Sequence, residues 1–145
     1  MSERAAQTRT NHTRWDPVFH FFLVPVTFLL FIWTVIRLVQ HQDTTSGILL
    51  AIVFLLFVTI LTLRPYALKV QDRVIRLEER LRLAELLPGP DRSRIPEFTE
   101  GQLIALRFAS DAELPALAAR TLAEGLGPKA IKDAIREWRG DYWRV

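Results

Sequence analysis

Two stretches without a formal charge decide most of what this chain can fold into. Residues 17–36, between Asp16 and Arg37, and residues 44–63, between Asp43 and Arg64, are each twenty residues long. At 1.5 Å per residue, a helix of that length crosses the roughly 30 Å hydrocarbon layer of a membrane. The first run holds fourteen Val, Leu, Ile or Phe residues. At about 0.3–0.6 kcal/mol each near a helix centre they favour insertion by roughly 4–8 kcal/mol, and by less toward the ends. The competing explanation is a pair of core helices in a soluble protein, but the polar remainder is too short to cover both. The first run is also too long for a signal peptide. No alanine lies between Gln7 and Leu50 to make a small-residue cleavage site, so both spans are expected in the mature protein.

Orientation follows from the basic residues. Arg4, Arg9 and Arg14 precede the first run, and Arg64, Lys69, Arg73, Arg76, Arg80 and Arg82 follow the second, whereas the connection carries only Arg37 beside Asp43. The positive-inside rule then places both termini in the cytoplasm, with residues 40–46 turning on the far side. Residues 64–94 hold eight bases against five acids, and residues 97–145 hold seven against eight. The net charge of +3 thus sits beside the membrane and not on the tail. That distribution argues against nucleic acid as a partner and for a topology signal with some attraction to anionic lipid.

Polar residues inside the spans are His20, Thr27, Thr34, Thr59 and Thr62. An intramembrane ionisable group is a functional candidate. His20 is therefore the intramembrane polar candidate, although its place four residues after Asp16 suits a hydrogen bond to that carboxylate at headgroup level. Pro25 is expected to kink the first span. Gly47 and Ala51 form one pair of small residues at the spacing that lets a second helix approach closely.

After Pro65, which suits the first turn of a new helix, Ala67, Val70, Val74, Leu77, Leu81 and Ala84 recur at intervals of 3-4-3-4-3. This is the a/d seam of a heptad repeat. The flanking e and g positions hold Gln71, Arg73, Glu78, Arg80 and Glu85. A parallel homodimer would set Arg73 opposite the second copy's Glu78, and Arg80 opposite its Glu85. The seam runs about two and a half heptads, short of the three or four typical of a confident coiled coil. Packing on the chain's own tail and lying at the lipid surface are therefore the rival uses of this amphipathic helix.

The tail reads as three short helices behind a Pro-rich linker at 88–98. Thr99 and Gln102 match a capping box, and so do Ser110 and Glu113. Leu114, Leu117, Ala118, Thr121 and Leu122 share one face of the second tail helix, which Gly125 closes. Gly127 and Pro128 open a third, with Ile131, Ala134, Ile135 and Trp138 on one side and Gly140 as its stop. Trp138, Tyr142 and Trp143 at the C-terminus, interleaved with arginine, are the residue types enriched where proteins bind partners.

Catalytic signatures are missing. The chain has no cysteine, hence no disulfide, thiolate zinc site or iron–sulfur cluster, and the topology separates His12 and His20 from His41. No enzyme activity, cofactor or metal is expected. The stretches NHTRWDPVFHFF at 11–22, RLEERLRL at 76–83 and LIALRFASDAELP at 103–115 resemble a family of small two-span bacterial membrane proteins catalogued as a domain of unknown function. That resemblance covers the chain from Asn11 and implies a bacterial inner (cytoplasmic) membrane location, but no activity.

The sequence therefore predicts an all-α membrane protein: a two-helix transmembrane hairpin, an amphipathic juxtamembrane helix and a small three-helix cytoplasmic tail. Its segments are a cytoplasmic N-terminus (1–16), span one (17–39), an extracytoplasmic turn (40–46), span two (47–64), the heptad-like helix (65–87), the linker (88–98) and the tail (99–145). The expected role is a non-enzymatic scaffold or accessory subunit that contacts the lipid bilayer and either a protein partner or a second copy of itself. The site residues are Val70, Val74, Leu77, Leu81, Arg73, Glu78, Arg80, Glu85, Trp138, Tyr142 and Trp143. The alternatives are a small oligomeric transport component, with the Thr residues, His20 and Gly47 along a pathway, and a stoichiometric accessory chain of a respiratory or photosynthetic membrane complex.

Overall fold

Both uncharged runs are helical in the computed structural model, which describes residue 8 and residues 15–141. The described residues are helical throughout their regular structure and divide by their internal contacts into two compact units, residues 15–69 and residues 70–141.

The first unit is a helical hairpin. A π-helical turn, Val18–Leu23, leads into α1, Val24–His41, and after two residues α2 runs from Thr44 to Leu86. The wide turn has a local cause. Pro25, near the start of α1, has no N–H to offer the carbonyl four residues back, and the amide of Val24 reaches back five residues to Phe19 instead. Val18–His41 and the apolar part of α2 are each long and apolar enough to cross a membrane. Their side chains interlock through Phe31, whose ring lies 6.1 Å from those of Phe54 and Phe57, and through Phe28, 6.0 Å from Phe57. Thr27 and Thr34 share the face of Phe31 and are buried, as is Ser46 on α2. Gly47, by contrast, is not a point of close approach, since a Cβ there would meet nothing within 4 Å.

The connection is tighter than the expected 40–46 turn. Gln42 adopts the left-handed conformation (φ 50°) and donates to the Leu38 carbonyl. The Asp43 carboxylate accepts the Ser46 amide at 2.6 Å, so α2 starts at Thr44 rather than at residue 47. That amide, at the free N-terminus of a helix, holds the Asp43 carboxyl below its ordinary range.

Pro65 does not begin a new helix. It lies inside α2, which has 43 residues. A proline removes one hydrogen bond and disturbs one turn, and the helix formers on both sides carry the helix across it.

In the second unit the last turns of α2 are covered by α3 (Gly89–Arg92), a 3₁₀ turn (Ile95–Glu97), α4 (Glu100–Leu106), α5 (Leu114–Glu124) and α6 (Pro128–Ala134). Leu83 from α2 and Leu87, just past its end, join Ile95, Phe98, Leu103, Leu106, Phe108, Leu114, Leu117, Ile131 and Ile135 in one core. The 88–98 segment is therefore part of the core and not a linker, because Ile95 and Phe98, on either side of Pro96, turn inward. Thr99 and Gln102 form the expected capping box.

The Ser110–Glu113 box forms only in part. The Glu113 amide reaches Ser110 Oγ at 3.4 Å, but the Glu113 carboxylate accepts the amides of Arg136 and Glu137. It is held by a segment that the sequence reading had placed in a helix. That segment is extended: α6 ends at Ala134, well before Gly140, and Trp138 pairs with Ala109 in a single antiparallel bridge. The Arg139 amide donates to the Phe108 carbonyl at 2.7 Å, and the Ser110 amide donates to that of Glu137 at 3.0 Å. These strand-like bonds compete successfully with another turn of helix.

Candidate interaction surface

The C-terminal half of α2 has two faces with different fates. On one side Ile75, Glu79 and Leu83, and Leu87 just past the helix end, are buried. On the other, Val70, Val74, Leu77 and Leu81 are 63%, 49%, 59% and 64% exposed. These four are the apolar seam read from the sequence. With Val74 at position a of the heptad, Ile75, Glu79 and Leu83 fall at b, f and c, the positions that point away from the seam. The tail therefore packs on the chain's own helix, but not on the seam, which it leaves open. Arg73, Glu78, Arg80 and Glu85 flank that seam, are exposed, and have no ion-pair partner among the described residues.

The covered face is held by an acid–arginine network. Arg82 donates from Nη1 to Glu79 at 3.1 Å, from Nε to Asp111 at 2.7 Å and from Nη2 to the Ala109 carbonyl at 2.7 Å. Arg139 reaches the other Glu79 oxygen at 3.5 Å, and Arg107 pairs with Asp141 at 3.1 Å. Arg76 pairs with Glu100. Glu79 is only 4% exposed, and burial pushes its carboxyl above the ordinary range, against the pull of Arg82 and Arg139. A cleft of about 690 Å³ opens beside this network, lined by Glu79, Arg82, Arg107, Asp111 and Arg139 among others. Each of those arginines is matched by a carboxylate, so the cleft has no surplus positive charge with which to hold an anion.

The remaining predicted residues separate from that surface. Trp138, half-buried, packs against the core with its ring 5.1 Å from that of Phe108. Tyr142 and Trp143 lie outside the described residues, as do Arg4, Arg9, His12 and Arg14. His20 does not bond the Asp16 carboxylate. Its Nδ1 lies 2.9 Å from the Asp16 carbonyl, while the carboxylate accepts the Phe19 amide at 2.9 Å. That amide, with nearby Arg64, keeps the Asp16 carboxyl below its usual range. The rings of Trp15 and Phe19 stand edge-on to His20 at 4.8 and 5.1 Å, and Arg64 lies over Phe19 at 5.1 Å. The threonines of the two apolar helices donate to carbonyls of their own helices: Thr27 to Leu23, Thr34 to Phe31, Thr59 to Leu55 and Thr62 to Val58.

Two structural residues escaped the sequence reading. The sequence offers Arg82 as a juxtamembrane charge and as the i,i+4 partner of Glu78, whereas it bonds Glu79, Asp111 and the Ala109 carbonyl. Glu79 falls outside the a, d, e and g positions on which the heptad argument rested; its one available signal was an acid in line with Ile75 and Leu83.

Across its full length, residues 1–145, the chain matches the family of unknown function DUF6526, and it belongs to that family. Neither the curated proteins nor the solved structures contain a match.

Proposed function

We propose that this member of a family of unknown function is a non-enzymatic scaffold or accessory subunit of the bacterial cytoplasmic membrane. Its hairpin anchors it there with both termini inside, and it works through protein contacts along α2. The observation that carries this reading is the open apolar stripe Val70, Val74, Leu77 and Leu81 on a helix whose opposite face is already covered. Large apolar side chains lined up on an exposed face mark an interaction site. The anchoring is supported by the length and hydropathy of Val18–His41 and of the apolar part of α2. The orientation is supported by the arginines clustered at the non-turn ends of the two spans.

The natural chain has no cysteine, so single-cysteine labelling tests both points directly. The protein is expected to resist carbonate extraction from membranes. A Gln42→Cys thiol should react with an impermeant maleimide in intact cells only from outside, and an Ala130→Cys thiol only after lysis. Release by carbonate would sink the anchor, and the reverse labelling pattern would sink the orientation. Mild-detergent extraction from native membranes then reads the partner. Stoichiometric recovery with a larger assembly would make the protein an accessory chain of that assembly.

A further inference from the structure

We propose that the open face of α2 is an interface with a second copy of this chain: a short parallel coiled coil over residues 67–84, in register through reciprocal arginine–glutamate pairs. The inference rests on the membrane-anchored reading above and names the partner that its exposed stripe fits.

Three observations lead to it. The exposed apolar residues keep the 3-4 heptad spacing, with Val74 and Leu81 at a and Val70 and Leu77 at d. Beta-branched Val at a followed by Leu at d, as at 74 and 77, favours two strands. Secondly, the charges that flank the stripe are self-complementary in a parallel pair only. A g residue of one helix meets the e residue five positions on in its partner, so Arg73 meets Glu78 and Arg80 meets Glu85. By symmetry each pair occurs twice. All four side chains stand exposed without an ion pair among the described residues. Thirdly, the tail covers b, c and f positions, the outside of such a coil, and of the a, d, e and g positions over 67–85 only Gln71 is half-buried in the monomer.

Anchoring supplies what the short seam lacks. Two copies inserted with the same topology are already parallel, and confinement to one membrane raises their effective concentration, so a few heptads suffice where free peptides would need more. A lipid surface fits this face less well. A helix lying on an anionic bilayer carries Lys and Arg along its polar flank, whereas Glu78 and Glu85 would have to approach the headgroups here.

The test uses full-length chains carrying two different affinity tags, co-expressed and extracted in mild detergent. The wild-type tags should co-purify. Arg73→Glu/Arg80→Glu places four acids along each seam, and Glu78→Arg/Glu85→Arg places four bases. Each variant expressed with itself should lose co-purification, and the two expressed together should recover it. Because all four positions are exposed, both variants should fold and stay in the membrane fraction. Wild-type tags that fail to co-purify overturn the proposal, and so does co-purification that ignores the charge changes. A foreign partner or a lipid surface gives no rescue when the two variants are mixed, which likewise overturns it. In any of those cases carbonate resistance and the labelling pattern still stand or fall separately, so loss of the dimer is distinguishable from loss of the anchor.

Discussion

Glu79 shows how one side chain couples packing to pH. Its ordinary value is 4.5, and burial raises it in the folded protein against the attraction of Arg82 and Arg139. In the interval between those two values the native state holds a proton that the unfolded chain has lost, so stability falls as pH rises through it. Asp16, Asp43 and Glu97 act in the other direction. Their carboxyls are lowered by hydrogen bonds, so their contribution is present at higher pH and is lost on acidification below their unfolded values of 3.8, 3.8 and 4.5. Glu79→Gln isolates the first effect. The stability of the natural protein relative to this variant should decline as pH is raised from about 4.5, measured by denaturation in detergent at a series of pH values. A difference that is flat or rising with pH would contradict the assignment. A second residue-scale contrast concerns glycine. A Cβ on Gly101 would stand 2.9 Å from Pro128 Cγ, a ring atom with little room to yield, whereas one on Gly89 would meet nothing within 4 Å. Overpacking costs about 1–3 kcal/mol and offsets the helix propensity gained. Gly101→Ala should therefore lower the unfolding midpoint, and Gly89→Ala should leave it unchanged or raise it.

Among the elements, α4 depends on more than its own sequence. Gln102 accepts the Thr99 amide at 2.8 Å and also donates through Nε2 to the Leu126 carbonyl at 3.0 Å, across to the α5–α6 connection. Thr99→Ala removes one cap and should cost about 1 kcal/mol. Gln102→Ala leaves both an amide and a carbonyl without their partners, and should cost about 2 kcal/mol or more. Amide exchange should show the extra damage around Leu126, far in sequence from the substitution; protection there that does not change would remove the cross-link argument. The ends of elements are also where local pattern misleads. Pro65 has the signature of a helix start yet sits inside α2, and Gly140 has the signature of a stop though α6 ends six residues earlier, at Ala134. At Pro65 the helix formers on both sides carry the helix through, and after Ala134 bonds to Phe108, Ser110 and Glu113, far off in sequence, outweigh the local preference.

At the scale of the molecule, the two faces of α2 should respond to mutation in separable ways. Leu83 is fully buried and Leu81, two residues before it, is 64% exposed. Leu83→Ala should cost about 2–5 kcal/mol of stability. Leu81→Ala should leave the monomer within about 0.5 kcal/mol and weaken association alone. Equal losses of stability from both would mean that the seam is covered within the chain.

The helical class, the two long apolar helices and the spacing of the α2 seam were all legible in the sequence. Each depends on residues close together in the chain: charge-free length, a 3-4 period, a capping pair. Which face of α2 the tail would take was not legible. Leu68, Ile75 and Leu83 widen the apolar stripe, and periodicity alone gives no reason to prefer one side of it. The tertiary structure decides in favour of Ile75, Glu79, Leu83 and Leu87, because Arg82 bonds the Ala109 carbonyl and Asp111, and Arg139 reaches Glu79, across sequence separations that no local pattern encodes. It likewise draws Trp138 out of the expected helix onto Phe108, and turns Glu113 from capping its own helix to holding the amides of Arg136 and Glu137. A hydrogen bond to a distant backbone is worth as much as one to a near neighbour, and only the folded chain determines which of the two is within reach.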